Sequence, residues 1–212
     1  MDSIFTGISE LQKNKLFKLL EAHIYQFSEN EEILQTIKGK NIICIILEGS
    51  ANMIAINYNG DENLIEELRT ESVFGTAISD MNDKECQIRS TSSITKIVVF
   101  EYNRVIDLQN STHHYYNLFL NHLFDIIHTK LRERNDRIRI ITKKTIRDKL
   151  LAYFEYEYSK TGSRFIYMQN NFAQLADYLA INRSAMFREL KLLKEDKFIK
   201  VDGKRITLLY TP

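Results

Sequence analysis

The stretch NFAQLADYLAINRSAMFRELKLL, residues 171–193, decides the fold of the carboxy-terminal part of this chain. Asn171 can cap a first helix, and Gln174, three residues later, can reach back to it as in a capping box. Ala180-Ile181-Asn182 then predicts a turn, in which Asn182 is suited to cap a second helix. Three apolar residues at helical spacing predict the buried face of that second helix: Met186, Leu190 and Leu193.

The opposite face of the second helix is polar and basic. Basic and hydrogen-bonding side chains on an exposed helix can meet base edges and phosphates in the major groove of DNA. We therefore predict a DNA-reading surface, on which Asn171 and Asn182 are the residues that begin the two helices. Its members are Asn171, Asn182, Arg183, Ser184, Phe187, Arg188 and Lys191.

A hairpin is predicted directly after these helices. Residues 198–201 and 204–209 are predicted to be its two strands, and Asp202-Gly203 between them is typical of a tight turn. The hairpin would form a wing whose Lys204 and Arg205 contact phosphates. A helix-helix-hairpin of this size can also be an interaction module that never meets nucleic acid, and that alternative stays open at this point.

The charge of the chain is divided between its halves. Residues 1–127 hold 10 Lys and Arg against 18 Asp and Glu, whereas residues 128–212 hold 19 against 10. The formal net charge of +1 conceals this asymmetry. A basic carboxy-terminal half is the pattern expected of a protein that binds a phosphate backbone.

The first half of the chain predicts an antiparallel β domain. Short apolar runs, rich in Ile and Val, lie between turn residues at 42–47, 53–58, 64–68 and 94–100. Asn59-Gly60 is typical of a type I′ hairpin turn, because both residues accept a positive φ. Strands this close together, with no helix between them, favour a sandwich or barrel. A short amphipathic helix over residues 8–22 precedes them.

A long helix is predicted over residues 115–141, where apolar residues recur at helical spacing without Gly or Pro. Its apolar stripe can cap the β domain or pack on a second copy of the chain. We favour a homodimer, with residues 135–144 as a hinge and another helix over residues 145–158. The side chains predicted in the dimer contact are Leu120, Leu123, Ile127 and Leu131.

Several classes of protein are excluded by the composition. No apolar stretch approaches the roughly 20 residues that span a bilayer, and the first residues lack the order of a signal peptide, so we expect a cytoplasmic protein without membrane contact. Cys44 and Cys86 form no disulfide framework or C-x-x-C pair. None of the five histidines lies between residues 24 and 112, so the β domain lacks the ligands of a metal-dependent cupin. We therefore expect that the protein is not an enzyme and that it binds no cofactor.

Taken in order, several motifs resemble the Crp/Fnr superfamily of bacterial transcription regulators over nearly the whole chain. They are ILEGS at 46–50, Asn59-Gly60, VFG at 73–75, the long helix, TIRDKLL at 145–151 and RSAMFREL at 183–190. The resemblance implies an α+β protein with an antiparallel, cyclic-nucleotide-binding-like jelly roll and a winged helix-turn-helix. The corresponding domains are 1–112, a sensor; 113–141, a dimerisation helix and hinge; and 142–212, the DNA-binding domain.

The resemblance also implies a homodimer on a roughly palindromic operator, RNA polymerase as a partner, and a signal sensed at the β domain. Arg183, Ser184 and Arg188 match the base-reading positions, although the family commonly has Glu where this chain has Ser184. Cyclic-nucleotide binders carry an Arg-Ser pair that grips the phosphate, and the best alignment puts Glu85-Cys86 there. Arg89-Ser90, four residues on, would point elsewhere along the barrel. We therefore expect no cyclic nucleotide to bind, and the effector is unknown.

Overall fold

The computed structural model describes residues 3–37, 39–56, 58–78, 86–168 and 172–211. The chain forms two compact units, residues 1–128 and residues 129–212. Within the described residues both units combine α-helices with antiparallel strands, so the predicted α+β class is confirmed. The division predicted at residues 112 and 141 stays a prediction. Within the described ranges, no helix is long and apolar enough to span a membrane.

In its described residues, the first unit begins with a short helix and contains seven strands. The helices are α1 (Glu10–Leu19), α2 (Ile33–Ile37), α3 (Tyr102–Val105) and a 3-10 turn over Leu108–Thr112. The strands are β1 (His23–Phe27), β2 (Ile42–Glu48), β3 (Ser50–Ile56), β4 (Glu62–Arg69), β5 (Val73–Phe74), β6 (Cys86–Ser90) and β7 (Thr95–Glu101). Ser9 caps α1 in a capping box with Gln12, which limits the helix to fewer residues than the predicted 8–22.

Two antiparallel sheets make up the β part. One has the strand order β1-β7-β2-β5 and the other β4-β3-β6. Alternating side chains of β2 serve two hydrophobic clusters, because successive residues of a strand point to opposite faces. Ile43 and Ile45 pack with Leu16 of α1, whereas Ile42, Cys44 and Ile46 pack with residues of the second sheet. This explains why β2 is apolar throughout instead of alternating.

Two turns in the β part contain a glycine with a positive φ, Gly60 and Gly75. The hairpin between β3 and β4 exists, but its last pair is Ile56↔Glu62, so five residues connect the strands. The predicted two-residue type I′ turn is wrong: Gly60 has a positive φ of 83°, whereas Asn59 does not. At Gly75 the backbone comes so close to β2 that a Cβ would lie 2.3 Å from the Ile42 carbonyl oxygen. Only glycine fits there.

The helix α4 (His114–Ile141) is continuous, and four residues separate it from α5 (Ile146–Thr161). The predicted hinge at residues 135–144 is therefore too long, because only residues 142–145 interrupt the helices. Thr145 caps α5 by accepting a hydrogen bond from the Asp148 backbone N–H, and Gly162 ends it in the left-handed conformation.

The remaining elements of the second unit are β8 (Phe165–Tyr167), α6 (Phe172–Tyr178), α7 (Arg183–Glu195), β9 (Ile199–Asp202) and β10 (Arg205–Leu208). The strands form a sheet in the order β8-β10-β9. Its inner face and the three helices α5 to α7 enclose one hydrophobic cluster around Phe154, Leu175 and Leu190. β8 is a strand that the sequence analysis missed.

Candidate nucleic-acid interface

Two short helices and the turn between them form the centre of the site. The Ile181 N–H donates to the Ala176 carbonyl oxygen over 3.0 Å, and Ala180 takes a positive φ of 51°. The Asn182 side-chain oxygen accepts from the Ala185 N–H over 3.1 Å and so begins α7, as predicted. Asn171 lies outside the described residues, and so does the capping box that it would form with Gln174.

The inner face of α7 is buried. Met186, Leu190 and Leu193, the three residues predicted from spacing, belong to the hydrophobic cluster of the second unit together with Leu175 and Leu179 of α6 and the turn. Because these apolar side chains fix the rotation of α7 about its axis, they also fix which residues face outward.

The outer face of α7 holds the predicted DNA-reading residues, and all of them are exposed: Asn182, Arg183, Ser184, Phe187, Arg188 and Lys191. We call this face the α7 outer surface. The Phe187 ring lies 5.6 Å from the ring of Phe172 at the start of α6. The Arg188 guanidinium makes no ion pair or hydrogen bond with any described residue, so its donors can bind a ligand. The structure brings these side chains together on one surface, and their contact with DNA stays a prediction.

Two basic residues of this surface have carboxylate partners. Arg183 forms an ion pair with Asp177 of α6, with 3.0 Å between nitrogen and oxygen. Lys191 lies 3.8 Å from Glu195, one helical turn later. Sequence reasoning missed Asp177 because it lies on α6 and Arg183 on α7, so no helical spacing relates the two residues. The tight turn brings their side chains together.

The hairpin after α7 is present with a turn shifted by one residue. Asp202 pairs with Arg205 across the strands, so Gly203 and Lys204 form the turn instead of the predicted Asp202-Gly203. Gly203 has a positive φ of 58°, which glycine adopts without strain. Lys204 is exposed at this tip. Arg205, by contrast, is only half-exposed and holds Asp202 at 2.8 Å, so its charge is already partly neutralised.

The long helix α4 has a buried side and an exposed side. Leu123 is only 3% exposed and belongs to the core of the first unit, and Leu120 and Ile127 pack against the same core. Leu123 is therefore unavailable for the predicted dimer contact, because its own β domain covers it. The exposed side carries Phe124, Leu131 and Ile138, which are 60%, 53% and 53% exposed and spaced seven residues apart. Phe124 was missing from the predicted set.

Arg89, the arginine of the displaced Arg-Ser pair in the β domain, is already paired with a carboxylate. Arg89 of β6 forms an ion pair with Glu62 of β4 at 2.8 Å, and Ser90 is buried against the Thr95 hydroxyl. Glu85 lies outside the described residues. Burial raises the pKa of the Cys44 thiol to about 12, whereas Cys86 is half-exposed. Within the described ranges no group of three or more His, Cys, Asp or Glu residues is arranged to hold a metal ion.

Comparison with known proteins yields similarity of fold and little similarity of sequence. No protein-family model and no curated protein matches the chain. A solved structure of CprK in complex with OCPA is 15% identical, with 95% of this chain and 92% of that one covered and a TM-score of 0.67. A CooA mutant from Carboxydothermus hydrogenoformans is 15% identical, with 99% and 92% covered and a TM-score of 0.63.

A cyclic nucleotide-binding domain containing protein from Listeria monocytogenes is 16% identical, with 94% of this chain and 98% of that one covered and a TM-score of 0.57. The similarity thus extends over both compact units and over nearly the whole of each compared chain. These similarities support, at the level of the fold, the resemblance predicted from the sequence motifs: the chain has the fold that these solved structures share.

Proposed function

We propose that this chain is a sequence-specific DNA-binding transcription regulator of the Crp/Fnr type. The observation that carries the proposal is the α7 outer surface, where Arg183, Arg188 and Lys191 lie exposed on a helix whose other face is packed in the core. Arginine can bond guanine O6 and N7 with two donors at once, which is the commonest specific contact in the major groove.

The elements around α7 support a winged helix-turn-helix. α6 and α7 are joined by a four-residue turn, and β9 and β10 follow as a hairpin with Lys204 at its tip. In this arrangement α7 enters the major groove and the hairpin contacts the adjacent backbone. The excess of basic residues in residues 128–212 agrees with a phosphate-binding surface.

The exposed stripe on α4 supports a homodimer. The exposed Phe124, Leu131 and Ile138 recur every seven residues. The half-buried Leu120, Ile127 and Ile141 lie three or four residues from them. This is the a/d spacing of helices that pair in a coiled coil. A two-fold dimer presents two copies of α7, so we expect a roughly palindromic operator. RNA polymerase is the partner that the family resemblance implies.

The β domain, in our proposal a jelly roll, is the place where a signal would act. The Arg89–Glu62 ion pair and the buried Ser90 do not favour a cyclic phosphate, so we propose no cyclic nucleotide as the signal, and the effector is unknown. We propose no catalytic activity and no resident cofactor for this domain.

The test is binding to DNA of random sequence, followed by selection of a preferred site. Fluorescence anisotropy with a random duplex is expected to give the micromolar, salt-dependent affinity typical of non-specific binding, about 10⁻⁴ to 10⁻⁶ M. Repeated selection from a random library should then enrich a palindromic sequence. Absence of both results would favour the alternative, a ligand-binding or protein-interaction module that no longer binds DNA.

A further inference from the structure

A carboxylate stands next to the first arginine of α7. The Asp177 Oδ2 lies 3.0 Å from the Arg183 Nη2, and the Asp177 side chain is 62% exposed against 59% for Arg183. The pair thus forms part of the α7 outer surface and not of the core. Asp177 lies one residue before the end of α6, and the tight turn with Ala180 at positive φ brings it to the start of α7.

This ion pair has little to do with folding. Ion pairs between exposed side chains contribute little to stability, because water already solvates both charges and the long side chains lose entropy. An acidic residue is also costly at a surface that meets phosphates, since it is repelled by them. A role in binding explains its position better than a role in stability.

The geometry leaves Arg183 able to read a base. A guanidinium has five N–H donors in a rigid plane, and the bond to Asp177 uses one donor of Nη2. The other Nη2 hydrogen and both Nη1 hydrogens stay available, which is enough for the two bonds to guanine O6 and N7. The carboxylate restricts the rotamers of the side chain and so pre-orients the plane that the base must match.

The same carboxylate weakens attraction to the backbone. Residues 128–212 carry 19 Lys and Arg against 10 Asp and Glu, a balance that favours tight binding to any sequence. Asp177 offsets the charge of Arg183 and repels a phosphate that approaches it. The affinity is therefore lower for DNA in which Arg183 forms no bond to a base.

We propose that Asp177 is a specificity-determining residue that positions Arg183 for guanine and lowers affinity for DNA of other sequence. The proposal rests on the DNA-binding function proposed above. According to this proposal, an acidic residue of α6 adds to the discrimination between the selected site and other DNA, beyond what the exposed arginines of α7 give alone.

The test compares Asp177→Asn with the wild type on two duplexes of equal length, one carrying the site selected by the wild type and one of random sequence. Asparagine keeps the size of the side chain and removes its charge. The variant should bind the random duplex about threefold or more tightly at low salt, with a slope of log affinity against log salt steeper by about 0.9 per chain. The ratio of the two affinities should fall by about tenfold or more, as expected when one base contact is lost.

A matched control is Asp136→Asn on α4, where Asp136 pairs with Arg139 at 3.4 Å. It removes the same charge from another aspartate–arginine pair, and we expect the affinity ratio to stay at the wild-type value. A double-mutant cycle with Arg183→Ala adds a second measurement. If Asp177 acts through Arg183, the Asp177→Asn change should have no further effect on the ratio in the Arg183→Ala background.

The outcomes separate this proposal from the function on which it rests. If the wild type selects a site and Asp177→Asn keeps its affinity ratio and its salt slope, the role of Asp177 is overturned while DNA binding stands. An equal fall of the ratio in Asp136→Asn overturns it too, because total charge would then be the cause. If the wild type binds neither duplex, the proposed function fails and the role of Asp177 fails with it.

Discussion

Arg137 of α4 is bonded to Tyr178, the last residue of α6. Its Nε donates to the Tyr178 carbonyl oxygen over 3.1 Å, and its guanidinium lies 5.1 Å from the centre of the Tyr178 ring. A cation at this end of a helix also meets the negative end of the helix dipole. Burial raises the pKa of Tyr178 to about 12, so the ring is neutral at physiological pH and the contact does not titrate there. The turn into α7 follows directly.

We therefore predict that Arg137→Ala weakens DNA binding, although Arg137 itself does not contact DNA, because it helps to position α7. The variant should lose about 1–2 kcal/mol of unfolding free energy, from one charged hydrogen bond and one cation–π contact. Denaturant unfolding and anisotropy on a random duplex measure the two effects. Arg132→Ala, an exposed position five residues earlier on α4, is the control and should be close to the wild type in both. Equal DNA affinity in the two variants would show that Arg137 does not position α7.

The exposed stripe of α4 gives a prediction about assembly. Leu131→Glu places a charge in the middle of the proposed helix pair, at a position that is 53% exposed in the single chain. It should yield folded monomers with reduced DNA affinity, measured by light scattering and circular dichroism. Arg132→Glu, the next residue and outside the stripe, should stay dimeric. Leu123→Glu is a different experiment, because a charge in the core should unfold the β domain.

Leu123 also marks a limit of sequence reasoning. Helical spacing in residues 115–141 predicts an apolar stripe and a helix correctly, but it does not say which partner covers each residue. In the structure Leu123 faces its own β domain, whereas Phe124, next to it in sequence, faces outward. The division of apolar residues between these two faces depends on the four-stranded sheet that packs against α4, and no local pattern contains that information.

Two of the strands that sequence reasoning missed, β8 and β6, have no clear local pattern of their own. β8 has three residues, too few for a period, and it forms because β10 pairs with it. β6 has a single fully buried apolar residue, Ile88, and pairs with β3. The α6–α7 region was predicted well because its signals are local: Asn182 caps the helix and the apolar spacing gives its inner face. The ion pair between Asp177 and Arg183 depends on the turn between the helices, so no local pattern in the sequence predicts it.

We predict that cAMP and cGMP do not bind at physiological concentrations. Arg89 is held by Glu62 at 2.8 Å, and a cyclic phosphate would have to displace this carboxylate and accept its repulsion. Calorimetric titration with each nucleotide should give no heat of binding. Micromolar affinity that disappears in Arg89→Ala would contradict this, because Arg89 would then have left Glu62 to grip the phosphate.

The two cysteines should differ in reactivity. Burial raises the pKa of Cys44 to about 12, so at pH 8 only about one thiol in 10⁴ is the reactive thiolate. Iodoacetamide should therefore label half-exposed Cys86 first and leave Cys44 unmodified until the protein is denatured. Because the thiolate fraction rises with pH towards the pKa, labelling of Cys44 should stay negligible up to pH 9. Mass spectrometry of native and denatured samples measures both sites, and rapid native labelling of Cys44 would contradict its burial.

The last prediction separates residues that read DNA from residues that hold it. Arg188 lies on the α7 outer surface with no described partner, where it can grip a guanine, and such a contact is worth about 1–3 kcal/mol of discrimination. Lys204 lies at the tip of the hairpin, where it would meet a phosphate, which carries no sequence information. Arg205 is less suited to that role because Asp202 already holds it.

Arg188→Ala should therefore weaken binding to the selected site by about tenfold or more and leave binding to a random duplex nearly unchanged. Lys204→Ala should weaken binding to both duplexes alike and make the slope of log affinity against log salt shallower by about one unit per chain. Arg205→Ala serves as the comparison within the hairpin and should change the slope less than Lys204→Ala, because its charge is partly neutralised. Anisotropy on both duplexes across a salt series measures all three variants. If Arg188→Ala lowers the two affinities equally, α7 does not read bases and its outer surface is only an electrostatic contact.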